Sequence, residues 1–588
     1  MRRAAVFVVA LIAALAPSLA PRHARAGGLE IGDTGATALG RGGAFVAKAD
    51  SPTAINYNPA GFVKLRGHQG AISLSAVNWS YDYTPATSGG ITPPSVAQQK
   101  PWFAAPLHLM LSTDFGVFER LTFAAGIYAP PTTPRSFPDR VDSAPAPQRY
   151  DLVSLGGVIF FPSLAVAFRV TDWLDIGVSF QWVMMKTTTR SVGTIGAACD
   201  QPLDPACDVD IEIGGADWFS PTGSIGALLR PNAHWEIGAL LRLPAKATLR
   251  GKAKITFGPG VDRLENAIGK PLLDPENPDA TVTNNFPLMV RLGARRIFRR
   301  GGREVADVEL DVVYERWSAA SERVITLEAQ SLGALKEPDT IDFGLNDTVS
   351  LRLGGAYHFV LANHIELTLR AGAFGETAST NVSDTRLYIV GPKRLGLTAG
   401  LGLRWGRLTF DVAYAHFFMP KRVVEQSSVT ARDMSGGVGP TIGNGTYSTR
   451  YQALAFQVGF AFGAPPGGAT STRPSSDDYP TGGMARRPPE PKTRTDAAAP
   501  TLPLRQVKPA AAIDDGLSFD AEPVDRADPD PPAKKVRPRA RKVIKRRARR
   551  RARRRLRRRR RLSRAQRRRA YRRCRRRGGS RRRCARLR

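Results

Sequence analysis

The side chains able to do chemistry in this 588-residue chain are mostly ionisable. Arg291, Arg295, Asp307, Glu309, Asp311, Glu315, Arg352, Glu366, Arg370, Arg404 and Asp411 recur at alternate positions between apolar neighbours. Such a set could line a substrate path. It could equally pair internally and hold another segment in place, because charges taken out of water need partners. Cysteine is sparse: Cys199 with Cys207, and Cys574 with Cys584. Neither spacing resembles a zinc site, since no further CxxC or His pair accompanies it. In an exported protein Cys199 and Cys207 read as a disulfide stapling a surface loop. The seven His are scattered, and no G-x-S-x-G elbow, P-loop or H-E-x-x-H occurs. The chain therefore reads as no enzyme, with no cofactor and no metal. A lipase with Ser and His hidden at a lipid boundary is the enzyme reading that spacing alone would not reveal.

The elements that position these residues are extended. In the stretch after Trp173, Leu174, Ile176, Val178, Phe180, Trp182 and Met184 share one face, opposite Asp175, Gly177, Ser179 and Gln181. After Arg394, Leu395, Leu397, Leu401, Leu403 and Trp405 oppose Gly396, Thr398, Gly400, Gly402 and Arg404. Fourteen such segments begin near residues 69, 102, 120, 152, 173, 216, 235, 283, 304, 346, 364, 394, 408 and 447, and end at Phe462. Short connections, such as residues 170–172 and 406–407, alternate with long ones, such as 84–101, 187–215, 257–282 and 318–345. Sandwiches and propellers share the period but have no reason to alternate their loops. An outer-membrane barrel does, with short periplasmic turns, long outer loops and girdles of aromatics such as Trp173, Trp235, Trp317 and Trp405. The fold expected is all-β: a 14-stranded antiparallel transmembrane barrel over residues 68–462.

The ends differ in composition. Residues 1–26 read as a signal peptide, with Arg2 and Arg3, an apolar run too short to span a bilayer, and an Ala24-Arg25-Ala26 cleavage site. Residues 27–67 hold nine Gly and seven Ala, a backbone able to pack closely. Ser51-Pro52 and Asn58-Pro59 put a capping oxygen before a proline, so short helical turns are expected there. A small-residue linker with ordinary turns has the same composition. Residues 463–533 read as a disordered linker rich in Pro and Ala. Residues 534–588 carry 34 Lys or Arg and no acid, which leaves +1 of the +35 net charge for the rest of the chain. Beyond the membrane, that tail could bind anionic polymers or lipids and make the protein a tether. Nucleic acid is disfavoured as its partner, because export keeps the tail from the cytoplasm and Tyr571 is its one aromatic.

On particular residues the chain resembles the FadL-type outer-membrane transporters, including TodX-like channels. The run from Leu39 to Phe45 followed by Ala49-Asp50 and Asn56 to Gly61 is similar to that family's amino-terminal signature. Pro162 to Ala165 leading into Arg169 to Leu174, and Leu229 to Asn232 before Trp235 and Gly238, add to the resemblance. It implies that residues 27–67 fold inside the barrel as a hatch, with Asn58, Pro59, Ala60 and Gly61 as its signature. It also implies partners: fatty acids, aromatic hydrocarbons and outer-membrane lipid. Substrate would be captured at the outer loops and released sideways near a kinked third strand. Here Ala124, Ala125 and Gly126 could form that kink, or simply precede a plain strand end at Pro130-Pro131.

Overall fold

The computed structural model describes residues 34–87, 93–130, 134–195, 203–269, 273–331, 339–362, 364–434 and 438–463. The expected signal peptide, residues 27–33, Cys199, the linker from 464 and the basic tail lie outside the described residues. Fourteen strands form the wall: β1 His68–Pro85, β2 Trp102–Thr113, β3 Leu121–Tyr128, β4 Ser154–Arg169, β5 Leu174–Thr194, β6 Asp208–Asn232 and β7 Trp235–Arg242, then β8 Met289–Arg300, β9 Arg303–Glu315, β10 Thr348–Ala362, β11 Ile365–Glu376, β12 Arg394–Trp405, β13 Leu408–Phe418 and β14 Gly445–Phe462. Each pairs antiparallel with the next. The last returns to the first, from His68 opposite Phe462 to Pro85 opposite Gly445, so the barrel has no free edge.

The wall is inside out by the standards of a protein in water. Leu351 and Leu353 on β10 are 54% and 50% exposed, while Arg352 between them is 4% exposed. Leu395, Leu397 and Leu401 on β12, and Ile176, Val178 and Phe180 on β5, are likewise exposed. That arrangement is stable only if the surrounding solvent is itself apolar. On β5 the outward apolar run goes from Leu174 to Met184. At about 3.3 Å per residue and a tilt of about 40°, it spans about 25 Å, the height of the band that faces lipid in such barrels. Trp173, Trp235 and Trp405 lie exposed at one rim, and Trp102, Trp218 and Phe219 at the other. Trp317 is not part of a girdle: it is 1% exposed, and its indole N–H donates to Glu315 at 3.1 Å.

One end of the barrel is closed by tight turns. Thr171 accepts from Leu174 N at 3.1 Å, Asn232 from His234 N at 2.9 Å, and Gly301 and Gly302 (φ 56° and 77°) link β8 to β9. The other end differs from the sequence reading, which placed long loops there. Much of that chain is still sheet: Ala245–Phe257, Leu273–Phe286, Glu322–Ser331 and Asp339–Asp342 pair in series above β6 to β9. Period-two hydrophobicity fades once lipid no longer faces the outer side, yet the hydrogen-bond ladder continues. The change falls at one level of the wall, marked by a register shift at residues 217–220 of β6 and by Pro244 and Pro287 after β7 and before β8. Prolines interrupt both ladders there because they have no N–H to give.

Candidate functional site

Residues 34–67 lie within the barrel and are almost wholly buried. They form α1 (Ala36–Leu39) and helical turns at Pro52–Asn56 and Pro59–Lys64. Ser51 accepts from Thr53 N, and Asn58 Oδ1 accepts from Ala60 N at 3.0 Å, so each turn begins with a capped proline. Asn58 does more than cap. Its Nδ2 donates to Val46 O and to Ala227 O on β6, both at 2.9 Å, tying its own turn, a neighbouring turn and the wall together. Gly61 is where the segment folds on itself: a Cβ there would stand 2.2 Å from Ala49 O. Asn58→Ala strands two buried carbonyl partners and one N–H. It is expected to weaken the seating of this segment by about 2–3 kcal/mol, read as lost hydrogen-exchange protection at residues 44–60 while the strands keep theirs.

The segment from Phe45 to Lys48 has no ladder of its own, and β9 supplies one. Asp311 accepts from Phe45 N and Val46 N at 2.9 and 3.1 Å. Glu309 accepts from Ala47 N at 2.6 Å and Lys48 N at 3.1 Å. Two acids two residues apart thus receive four successive backbone amides. Arg41, fully buried, reaches Asp307 at 2.5 Å and Glu309 at 3.3 Å. Lys48 reaches Asp50, Glu304 and Asp307 at 3.0–3.4 Å, and Lys64 reaches Glu236 at 2.9 Å. Arg295 bridges Glu236, Glu304 and Asp307. Glu304, Asp307 and His358 offer ligand atoms within 4.8 Å of one another, but Lys48 and Arg295 supply the positive charge among them.

The inward charges read from the sequence therefore divide by partner. Arg352 donates to Gly42 O at 3.1 Å and Arg291 lies 4.9 Å over the Tyr57 ring, so these also hold the inner segment. Arg370 with Asp411 (2.7 Å) and Arg404 with Glu366 (2.6 Å) pair within the wall and line a polar hollow of about 600 Å³ on the short-turn side. The partner cations Arg41, Lys48 and Lys64 are not among the charges that the strand pattern picks out. The signal is their composition: with Arg66 they are the basic residues of a segment in which most others are small or apolar.

The lumen beyond the inner segment is apolar. Phe62, Val63, Tyr128, Phe161 and Phe286 belong to one buried cluster that continues through Ile211, Ile213, Leu249 and Ile325. Its far end opens into a cavity of about 70 Å³, lined also by Phe343 and Tyr388 and by Arg323, Arg386, Arg432 and Asp151. Arg323 stacks over Tyr388 at 4.3 Å and bonds Asn284. Arg386 Nε is buried with no hydrogen-bond partner. Burial pushes the Asp151 carboxyl above its ordinary range, against the pull of Arg386. Nothing in the sequence singles out these residues, which lie at the long-hairpin end and far apart along the chain.

The near end of the apolar cluster meets an irregular part of the wall. Ala124, Ala125 and Gly126 pair with β2 and β4 with no shift of register. The shift lies one strand earlier, where Ser73 faces His108 and Ser75 faces Ala105, so that β2 carries an extra residue at Pro106-Leu107. Among the described residues, Leu109–Thr113 are the part of β2 that pairs with β3; the ladder stops before His108, whose Nε2 lies 2.7 Å from Ala129 O. Cys207 is buried and disulfide-bonded in the long-hairpin end.

A closed, lipid-facing barrel of fourteen strands with its lumen occupied by its own amino-terminal segment is the architecture of an outer-membrane transport protein rather than an enzyme. Residues 18–462 match the family of outer membrane protein transport proteins (OMPP1/FadL/TodX), and the chain belongs to it. Among solved structures it is similar to a Pseudomonas aeruginosa FadL homologue (TM-score 0.62, 16% identity, 74% of this chain and 100% of that one covered). It is also similar to the Pseudomonas putida toluene transporter TodX (TM-score 0.54, 13%, 74% and 99%) and the Ralstonia pickettii toluene transporter TbuX (0.51, 17%, 74% and 99%). Identities this low speak for the fold. No curated protein matches the chain.

Proposed function

We propose that the barrel carries hydrophobic carboxylates, long-chain fatty acids above all, inward across the outer membrane. The long-hairpin end faces outward and captures the substrate. The inner segment is the hatch, and release is sideways through the unpaired stretch of β2 against β3. The observation that carries this reading is the apolar cluster itself, which runs from the cavity beside Arg323, Arg386 and Arg432 to Tyr128 and Phe161 beside that stretch. A sideways exit keeps the substrate's apolar surface out of water, at about 25 cal/mol per Å². The buried Arg386 Nε favours an anionic head over a neutral hydrocarbon.

Arg386→Gln separates the two substrate classes. A charge-assisted hydrogen bond is worth about 1.5–3 kcal/mol, so uptake of a long-chain fatty acid below saturation is expected to fall about tenfold or more. Uptake of an alkylbenzene should not change. Equal loss for both would overturn the carboxylate reading, and unchanged uptake of every apolar compound on deleting the gene would overturn transport itself.

A further inference from the structure

Directly above the outer rim of the apolar band, one sector of the wall changes character. On β5 the outward series Phe180, Trp182, Met184 is followed by Lys186. On the next strands, Trp218 and Phe219 end the band on β6, and Leu243-Pro244 end it after β7. Beyond them Ala245–Phe257 turns Lys246, Arg250, Lys252 and Lys254 outward at alternate positions. The register places Lys186 and Arg250 on either side of Ala216, and Thr188 and Lys252 on either side of Gly214. With strands about 4.8 Å apart, the backbones at Lys186 and Arg250 stand about 10 Å apart across Ala216, and Lys252 follows on the same face two residues beyond Arg250.

Acidic neighbours only partly offset this charge. Lys252 pairs with Asp279 at 3.2 Å in an exposed contact, Glu212 faces Lys254, and Asp217 lies near Arg250. Among the described residues Lys186 and Lys246 have no acidic partner. The corresponding outward positions of β1 are Asn78, Ser80 and Asp82, the last 3.7 Å from Arg450 on β14, so the basic sector is local. Cations placed just beyond the hydrocarbon, contiguous with a lipid-facing face, sit where headgroup phosphates of the same lipid lie.

We infer that this sector is a seat for a phosphorylated lipid of the outer leaflet, its acyl chains on the band around Phe180, Trp218 and Phe219 and its phosphates between Lys186, Arg250 and Lys252. This rests on the outward orientation of the long hairpins, which is checked separately by labelling Val438→Cys, at a position 90% exposed, with a membrane-impermeant maleimide on intact cells. The seat itself is tested on the purified full-length protein in mild detergent by native mass spectrometry, with bisphosphoryl lipid A as the probe. The wild type is expected to retain it severalfold better than its dephosphorylated form or phosphatidylcholine, and inorganic phosphate should not displace it. Lys186→Gln/Arg250→Gln/Lys252→Gln should abolish the preference, Lys186→Arg/Arg250→Lys should keep it, and Arg450→Gln should leave it unchanged. Equal retention of phosphorylated and dephosphorylated lipid by the wild type, or an undiminished preference in the triple variant, would overturn the inference. Displacement by inorganic phosphate would do so too, marking a free-anion site instead.

Discussion

Arg41→Met should loosen the inner segment while the barrel stays closed. The guanidinium is buried between Asp307 and Glu309, and removing it leaves two carboxylates in a dry site with fewer cations to share. Breaking a buried pair costs about 3–5 kcal/mol. The low end is expected here, because Lys48 and Arg295 still reach Asp307 at 3.4 and 3.2 Å. Amides 44–48 should lose hydrogen-exchange protection, and single-channel conductance in planar bilayers should show openings absent from the wild type. Adding Glu309→Gln should recover part of the loss, since glutamine keeps an acceptor for the amides but drops a charge. Unchanged protection and a silent bilayer would mean that these ion pairs do not retain the segment.

A larger effect is expected from a change that adds bulk instead of removing charge. Gly354 on β10 and Gly372 on β11 are cross-strand partners, and Arg41 lies against both. A Cβ on Gly354 would stand 2.2 Å from Arg41 O, and one on Gly372 2.2 Å from Arg41 C. Both contacts are to backbone, so no side chain can swing away. Gly372→Val should displace the turn at Arg41 and with it the carboxylate contacts of residues 45–48. The strand itself should tolerate valine, a good strand former. Heat-modifiable mobility on gels, a sign of a closed barrel, should persist while small hydrophilic solutes begin to leak in. A variant that stays both folded and impermeable would show that the segment does not seal the lumen from this seat.

These glycines show what a sequence conveys and what it withholds. The period of two puts Gly354 on the same face as Arg352, and Gly372 on the same face as Glu366 and Arg370, so their inward direction is legible. That they are small because a backbone abuts them was not visible. On the same inner rung, Glu236, Arg295 and Glu309 lead to Gly354, Gly372 and Thr398, then to Ala415, Ala453 and Val77. Val77 and Ala453, 376 positions apart, are neighbours on that ring. No local pattern encodes such neighbours.

The sequence by itself determined the membrane, the strand number and the absence of catalytic motifs. Lipid contact is a demand each strand meets alone: every second residue must be apolar whatever the neighbouring strand holds, so the signal is local and repeats fourteen times. Proline-capped turns at Ser51 and Asn58 were legible for the same reason. Only the tertiary structure decided which inward charges grip the segment from Arg41 to Lys64 and which pair across the wall. It alone extended the strands beyond the membrane, placed the register shift on β2 rather than at Ala124–Gly126, and gathered Arg323, Arg386 and Arg432 around one cavity. Those outcomes follow from register and closure, which set who faces whom across the lumen and leave no period in the chain.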